Sequence, residues 1–130
     1  MTHQKILILE AFDFYDGKID IIIPTYESNM ISAELTIVPV GTCETSISKY
    51  IAAATSALED NGVKYEVTGM GTLIETNNPE KLFSAIQAAH ESLFKEGVKR
   101  VETHVKIDDR RDVEKTMKEK VGSVERQMGK

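Results

Sequence analysis

Tryptophan is absent, cysteine occurs once, and aromatic residues make up only 6% of the chain. The lone Cys43 rules out an intramolecular disulfide, so packing alone must hold the core, as suits a reducing compartment. Three histidines, His3, His90 and His104, lie far apart in sequence, which argues against a zinc site; no metal is expected. No apolar run approaches the roughly 20 residues that cross a bilayer, and the N-terminus lacks the basic-then-apolar order of a secretory signal. The expected location is cytoplasmic, with no membrane insertion. Positive charge is also scarce: the net charge is -5, and Lys99-Arg100 and Arg110-Arg111 are small clusters. Asp108, Asp109 and Asp112 flank the second pair, so no nucleic-acid partner is expected. Neither a Ser-His-Asp nor a Cys-His constellation is visible, and a catalytic role is not expected.

What remains is enough for one core: 130 residues, 41% of them hydrophobic. Residues 1–29 are the least patterned part. Two strand-like runs, 5–9 and 19–23, flank a turn-forming stretch at 13–17, which suggests an extra hairpin. The alternative is that these residues form an N-terminal extension outside the domain, or that Met30 is the natural start. The expected domain is therefore 30–130.

From Ile31 the pattern clears. Ile31, Ala33, Leu35 and Ile37 alternate with polar residues, the period of a strand with one face in a core. Pro39 and Gly41 end it. Thr42, Thr45 or Ser46 is expected to cap a helix carrying Ile47, Tyr50, Ile51, Ala54 and Leu58, stopped by Asn61-Gly62. Residues 65–68 and 72–76 read as a hairpin around Gly69-Met70-Gly71, whose glycines are expected to supply positive φ. Asn77-Asn78-Pro79-Glu80 starts a second helix with Leu82, Phe83, Ile86, Ala89, Leu93 and Phe94 on its apolar stripe, and Gly97 ends it. Val101, Thr103, Val105 and Ile107 mark a last strand. A third helix is expected from about Asp112, with a narrow stripe of Val113, Met117, Val121, Val124 and Met128 that suits a partner.

The order β-α-β-β-α-β plus a terminal helix is that of an α+β, ferredoxin-like sandwich. Placing the apolar alternates against the helices leaves Glu34, Thr36, Glu66, Thr68, Arg100, Glu102, His104 and Lys106 on the open sheet face. That face is either simply solvated or an oligomer interface framing a ligand pocket. His90 reads as a packed histidine and Cys43 as non-nucleophilic, lacking a fixed base. Asp108-Asp-Arg-Arg-Asp112 reads as an ion-pair turn rather than a divalent-cation loop, because arginines interleave the carboxylates.

Five stretches together resemble the small YkoF-like thiamine-binding family: Ile37-Val-Pro-Val-Gly-Thr42, Ser46-Ile-Ser-Lys-Tyr50, Tyr65-Glu-Val-Thr-Gly-Met-Gly-Thr-Leu-Ile-Glu75, Gly97-Val-Lys-Arg-Val101 and Lys106-Ile-Asp-Asp-Arg-Arg-Asp112. The resemblance runs from about Met30 almost to the C-terminus. Residue 69 is Gly where many relatives carry Pro, which implies a more flexible turn.

The resemblance implies a non-catalytic binder of thiamine or its hydroxymethylpyrimidine moiety, acting in vitamin transport, salvage or storage and assembling as a homodimer or homotetramer. No cofactor beyond that ligand is implied. Its turn motifs fall on Pro39 to Thr42 and on Thr68, Met70, Gly71, Thr72 and Glu75. An aminopyrimidine needs hydrogen-bonding groups and a cationic thiazolium needs packing surface and a counter-charge. Thr68 and Thr72 are therefore expected to bond the pyrimidine, Gly71 to allow close approach, Met70 to pack on a ring, and Glu75 or Glu34 to balance the charge, with Thr42 sharing the site. The plainer alternatives are β-forming threonines beside a turn and a solvent-facing Glu75. An oligomeric regulatory module sensing another small molecule is the alternative function.

Overall fold

A computed structural model describes residues 30–130 and, ahead of them, the backbone of four two-residue strands. The main body comprises β1 (Ile31–Pro39), α1 (Ser48–Asp60), β2 (Lys64–Val67), β3 (Thr72–Thr76), α2 (Pro79–Lys95), β4 (Val101–Asp108) and α3 (Met117–Gln127). The four strands form one antiparallel sheet in the order β2-β3-β1-β4, the ferredoxin-like arrangement. The described N-terminal pairings differ from the expected hairpin of 5–9 with 19–23: Leu7–Ile8 pairs with Thr25–Tyr26, and Phe14–Tyr15 with Lys18–Ile19. Otherwise residues 1–29, and with them the question of Met30, lie outside the described residues.

The period-two run of β1 does what its alternation dictates. Ile31, Ala33, Leu35 and Ile37 are all buried, against Tyr50, Ala54 and Leu58 of α1 and Leu82, Ala85, Ala89 and Leu93 of α2. Each large aliphatic side chain buried this way contributes about 1.5–3 kcal/mol before chain entropy is charged against it. α2 begins as expected: the Asn78 side chain accepts from the Lys81 N–H at 3.1 Å, with Pro79 next in line and Glu80 in the first turn.

Other expectations need correction. α1 is not capped by Thr42, Thr45 or Ser46; Ile47 occupies the N-cap without a side-chain bond and packs against the core instead. Burial of an aliphatic anchor sets this helix start. α3 begins at Met117, later than expected, because Thr116 and Glu119 form a reciprocal capping box. The 68–71 turn joins an edge strand, β2, to a central one, β3. Neither Gly69 nor Gly71 has positive φ.

The sheet face away from α1 and α2 carries Glu34, Thr36, Glu66, Glu102, His104 and Lys106, while Thr68 and Arg100 fall just beyond the strands. α3 lies over part of this face. Glu75 accepts from the Met117 N–H at 2.6 Å, and Lys120 Nζ donates to Asp108 at 2.6 Å and to the Ser32 hydroxyl at 3.3 Å. Between β4 and α3, Arg110 bonds Asp112 (2.6 and 2.9 Å) and Arg111 bonds Asp109 (2.9 Å), the ion-pair turn read from the sequence.

Candidate functional site

The site arises from a mismatch in strand length. β1 has nine residues and its neighbour β3 five. The last rung between them is Leu35–Thr72, so Thr36, Ile37 and Val38 run on with no strand beside them on that side among the described residues. The reversal at 68–71 and the inner face of α1 wall off the space this leaves. The result is a cavity of about 190 Å³ lined by Leu35 to Val38, by Ile47, Ile51, Ala54 and Leu58, and by Thr68 to Thr72.

Backbone polarity in this gap follows from one bond. The Val40 N–H donates to the Arg100 carbonyl at 2.8 Å, which fixes the alternation of the antiparallel β1–β4 ladder. Even-numbered residues of β1 bond towards β4 and odd-numbered ones towards β3. Ile37 lies two positions past the last β3 rung, so its N–H and C=O are directed into the gap. Pro39, which has no N–H to offer, occupies the next odd position, where none is required.

Four of the sequence-predicted residues, Thr68, Met70, Gly71 and Thr72, line this cavity. Their roles differ. The Thr68 hydroxyl donates to the Gly71 carbonyl at 2.6 Å and lies 3.2 and 3.3 Å from the Gly71 and Met70 N–H groups, while the Thr68 N–H donates to the same carbonyl at 2.9 Å. One donor and two acceptor sites are thereby occupied, so Thr68 holds the turn. Thr72 is 7% exposed and its hydroxyl makes no hydrogen bond among the described residues. Met70 is 89% exposed at the rim. Gly71 lies hard against β1: a Cβ there would meet Glu34 Cγ at 3.3 Å and the Leu35 carbonyl and Thr36 Oγ1 at 3.4 Å. Its need for glycine is therefore one of contact rather than φ.

The other three lie elsewhere. Thr42 is outside the cavity lining, and its hydroxyl bonds locally with Glu44. Glu75 faces the opposite side of the sheet, is 6% exposed, and is engaged by Met117 and, at 3.5 Å, by Lys64. It is thus buried rather than solvent-facing. Glu34 stands beside the turn on the open face, 3.8 Å from Lys106. Among the described residues no carboxylate lines the cavity.

Sequence reasoning missed Thr36, the backbone of Ile37 and the wall from α1. The unequal lengths of β1 and the hairpin were the available signal. His90, read as packed, bonds the Thr103 hydroxyl through Nδ1 at 2.6 Å and meets Phe94 edge-on at 5.4 Å. Cys43 is exposed at φ 58°. Among the described residues no helix is long and apolar enough to cross a membrane.

A family model described as thiamine-binding protein matches residues 33–125. A UPF0045 protein of Methanothermobacter thermautotrophicus is 52% identical over 95 residues, covering 73% of this chain and 96% of its own. A Bacillus subtilis relative is 42% identical over 103 residues, covering 76% and 98%. Among solved structures, a hypothetical protein of Methanocaldococcus jannaschii superposes with a TM-score of 0.68 at 31% identity, over 75% of this chain and 97% of that one. A Thermotoga maritima protein provisionally named for thiamine biosynthesis or salvage shares the fold, with a TM-score of 0.60 at 21% identity over 73% and 98%.

Proposed function

This chain belongs to the thiamine-binding protein family, and from that premise we propose that it binds thiamine or its hydroxymethylpyrimidine moiety without catalysis, through the ring, in the gap beside β1. The observation that carries the reading is the unpaired stretch of β1, where the Ile37 backbone offers a donor and an acceptor beside the unbonded Thr72 hydroxyl. A flat ring with adjacent donors and acceptors can extend the β1 ladder where the hairpin stops short. The walls of Leu35, Ile47, Ile51, Ala54 and Leu58 suit its faces, and Met70 suits a lid at the rim.

Size favours the pyrimidine as the anchored part. Pockets that enclose drug-sized ligands measure about 300–1,000 Å³, against about 190 Å³ here. The thiazolium then lies outside the cavity, with Glu34 beside the turn as a carboxylate for its charge. The biological role that fits is vitamin transport, salvage or storage by a homo-oligomer.

Thermal unfolding with and without ligand tests this. A ligand at 100 times its Kd that binds only the native state adds about 2.7 kcal/mol. Thiamine and the isolated pyrimidine alcohol should both raise Tm by several degrees, and an isolated thiazole should not. No shift with either pyrimidine compound would leave a module sensing another small molecule as the better reading.

A further inference from the structure

We propose that the first turn of α1 is a phosphate subsite of the ring cavity, so that a phosphate monoester of the pyrimidine alcohol is preferred over the free alcohol and over thiamine. This deepens the ring reading and rests on it. Residues 40–47 alone separate β1 from α1, and Ile47, the N-cap, forms part of the cavity wall together with Ile51. The cavity therefore reaches the N-terminal end of a 13-residue helix.

That end offers what an anion needs. A helix leaves its first N–H groups without internal partners and carries about half a positive charge there. Neither a side-chain cap nor an acid offsets it in α1: Ile47 makes no capping bond, and the first turn holds no acidic residue. The Tyr50 and Ile51 N–H groups both donate to the Ile47 carbonyl, at 3.0 and 3.1 Å, whereas those of Ser48 and Lys49 have no partner among the described residues. The Ser46 and Ser48 hydroxyls stand 3.2 Å apart in the same turn. The Lys49 ammonium adds a full charge and is held only loosely, 4.0 Å from the exposed Glu44.

The cavity supplies an independent sign of a ligand. Thr72 is more than nine-tenths buried, at 7% exposed, and its hydroxyl has no hydrogen bond among the described residues although it lines the cavity. Buried polar groups of this kind call for a partner. A ring bonded beside Ile37 has Glu34 on the open face of the sheet and the start of α1 on the helix face. A cationic substituent is drawn to the first and an anionic one to the second, so the charge of the substituent decides which way it leaves the ring. Among the described residues no Lys or Arg lines the cavity itself, which leaves Ser48 and Lys49 to receive the phosphate.

Calorimetry on the full chain with the pyrimidine alcohol, its phosphate monoester and thiamine tests this. The ester should bind about tenfold tighter than the alcohol, the scale of a charge and a charged hydrogen bond at a helix N-terminus. That ratio should shrink as salt rises from about 50 to about 500 mM. Lys49→Glu and Ser48→Asp each place an acid where the helix dipole favours one, so both should fold, and in each the ratio should drop to about one or below. An ester no tighter than the alcohol would overturn the subsite and leave the ring reading standing. A preference that survives both substitutions would also overturn it, since the phosphate would then lie elsewhere. Failure of all three compounds to bind would remove the ring reading and the subsite together.

Discussion

The Glu75 carboxylate accepts a 2.6 Å hydrogen bond from the Met117 amide, 42 residues further along the chain. Met117 is the first residue of α3, so its N–H is one of the donors that a helix cannot satisfy internally, at the positive end of the helix dipole. A buried carboxylate from a central strand thus serves as the seat of the terminal helix.

Glu75→Gln keeps the shape and removes the charge. A carboxylate at a partly buried helix N-terminus contributes about 1–2 kcal/mol, so the variant should unfold at lower temperature and expose α3 to faster amide exchange. Calorimetry should find thiamine affinity unchanged within about twofold, because Glu75 lies on the far side of the sheet from the cavity. A large loss of affinity with α3 still protected would contradict this placement.

Acid should loosen the same helix. The hydrogen bond and charge of Lys120 hold the Asp108 carboxyl below its ordinary value of 3.8, and Arg110 holds Asp112 down to about 2. Groups with depressed folded-state pKa values stabilise above the unfolded value and lose that contribution as pH falls through the folded one. Protection of α3 amides should therefore decline below about pH 4, and Asp108→Asn should flatten the upper part of that decline. An identical profile in the variant would count against the link.

Two substitutions separate shape from chemistry at the cavity. Gly71→Ala introduces a Cβ within 3.3–3.4 Å of Glu34, Leu35 and Thr36, and should cost about 1 kcal/mol of stability together with affinity as the turn is pushed off β1. Thr72→Val should leave stability nearly unchanged. It removes the hydroxyl that has no bond among the described residues, and a net hydrogen bond of about 0.5–1.5 kcal/mol predicts roughly 2- to 12-fold weaker pyrimidine binding. Equal affinity in Thr72→Val would remove that hydroxyl from the ligand model.

Removing residues 1–29 leaves in place the elements that bury the core residues from Ile31 to Val101, and should keep the unfolding midpoint within a few degrees. A large drop in midpoint would place the N-terminal segment within the cooperative unit.

Much of this architecture was legible because its signals are local. The alternation at 31–37 needs only its neighbours in sequence to define a buried face, and Asn78-Pro79-Glu80 carries its own helix start. The capping box Thr116-x-x-Glu119 is equally local, and it rather than the apolar stripe from Val113 sets the start of α3. Ile47 shows the opposite case. A residue with no capping chemistry holds the N-cap of α1 because its side chain packs on the core, and packing is not written in any short window.

The candidate site divides along the same line. Periodicity and turn chemistry are short-range, and they suffice to make 65–75 a hairpin, to place Thr68, Met70, Gly71 and Thr72 together in its turn, and to set the ferredoxin-like order of the elements. Long-range packing is what makes β1 outrun β3 and open the cavity beside Ile37, turns Thr68 onto its own turn, and commits Glu75 to α3 and not the cavity. Those outcomes depend on strand register and on which face of the sheet each side chain reaches, quantities fixed by contacts between residues far apart in the chain.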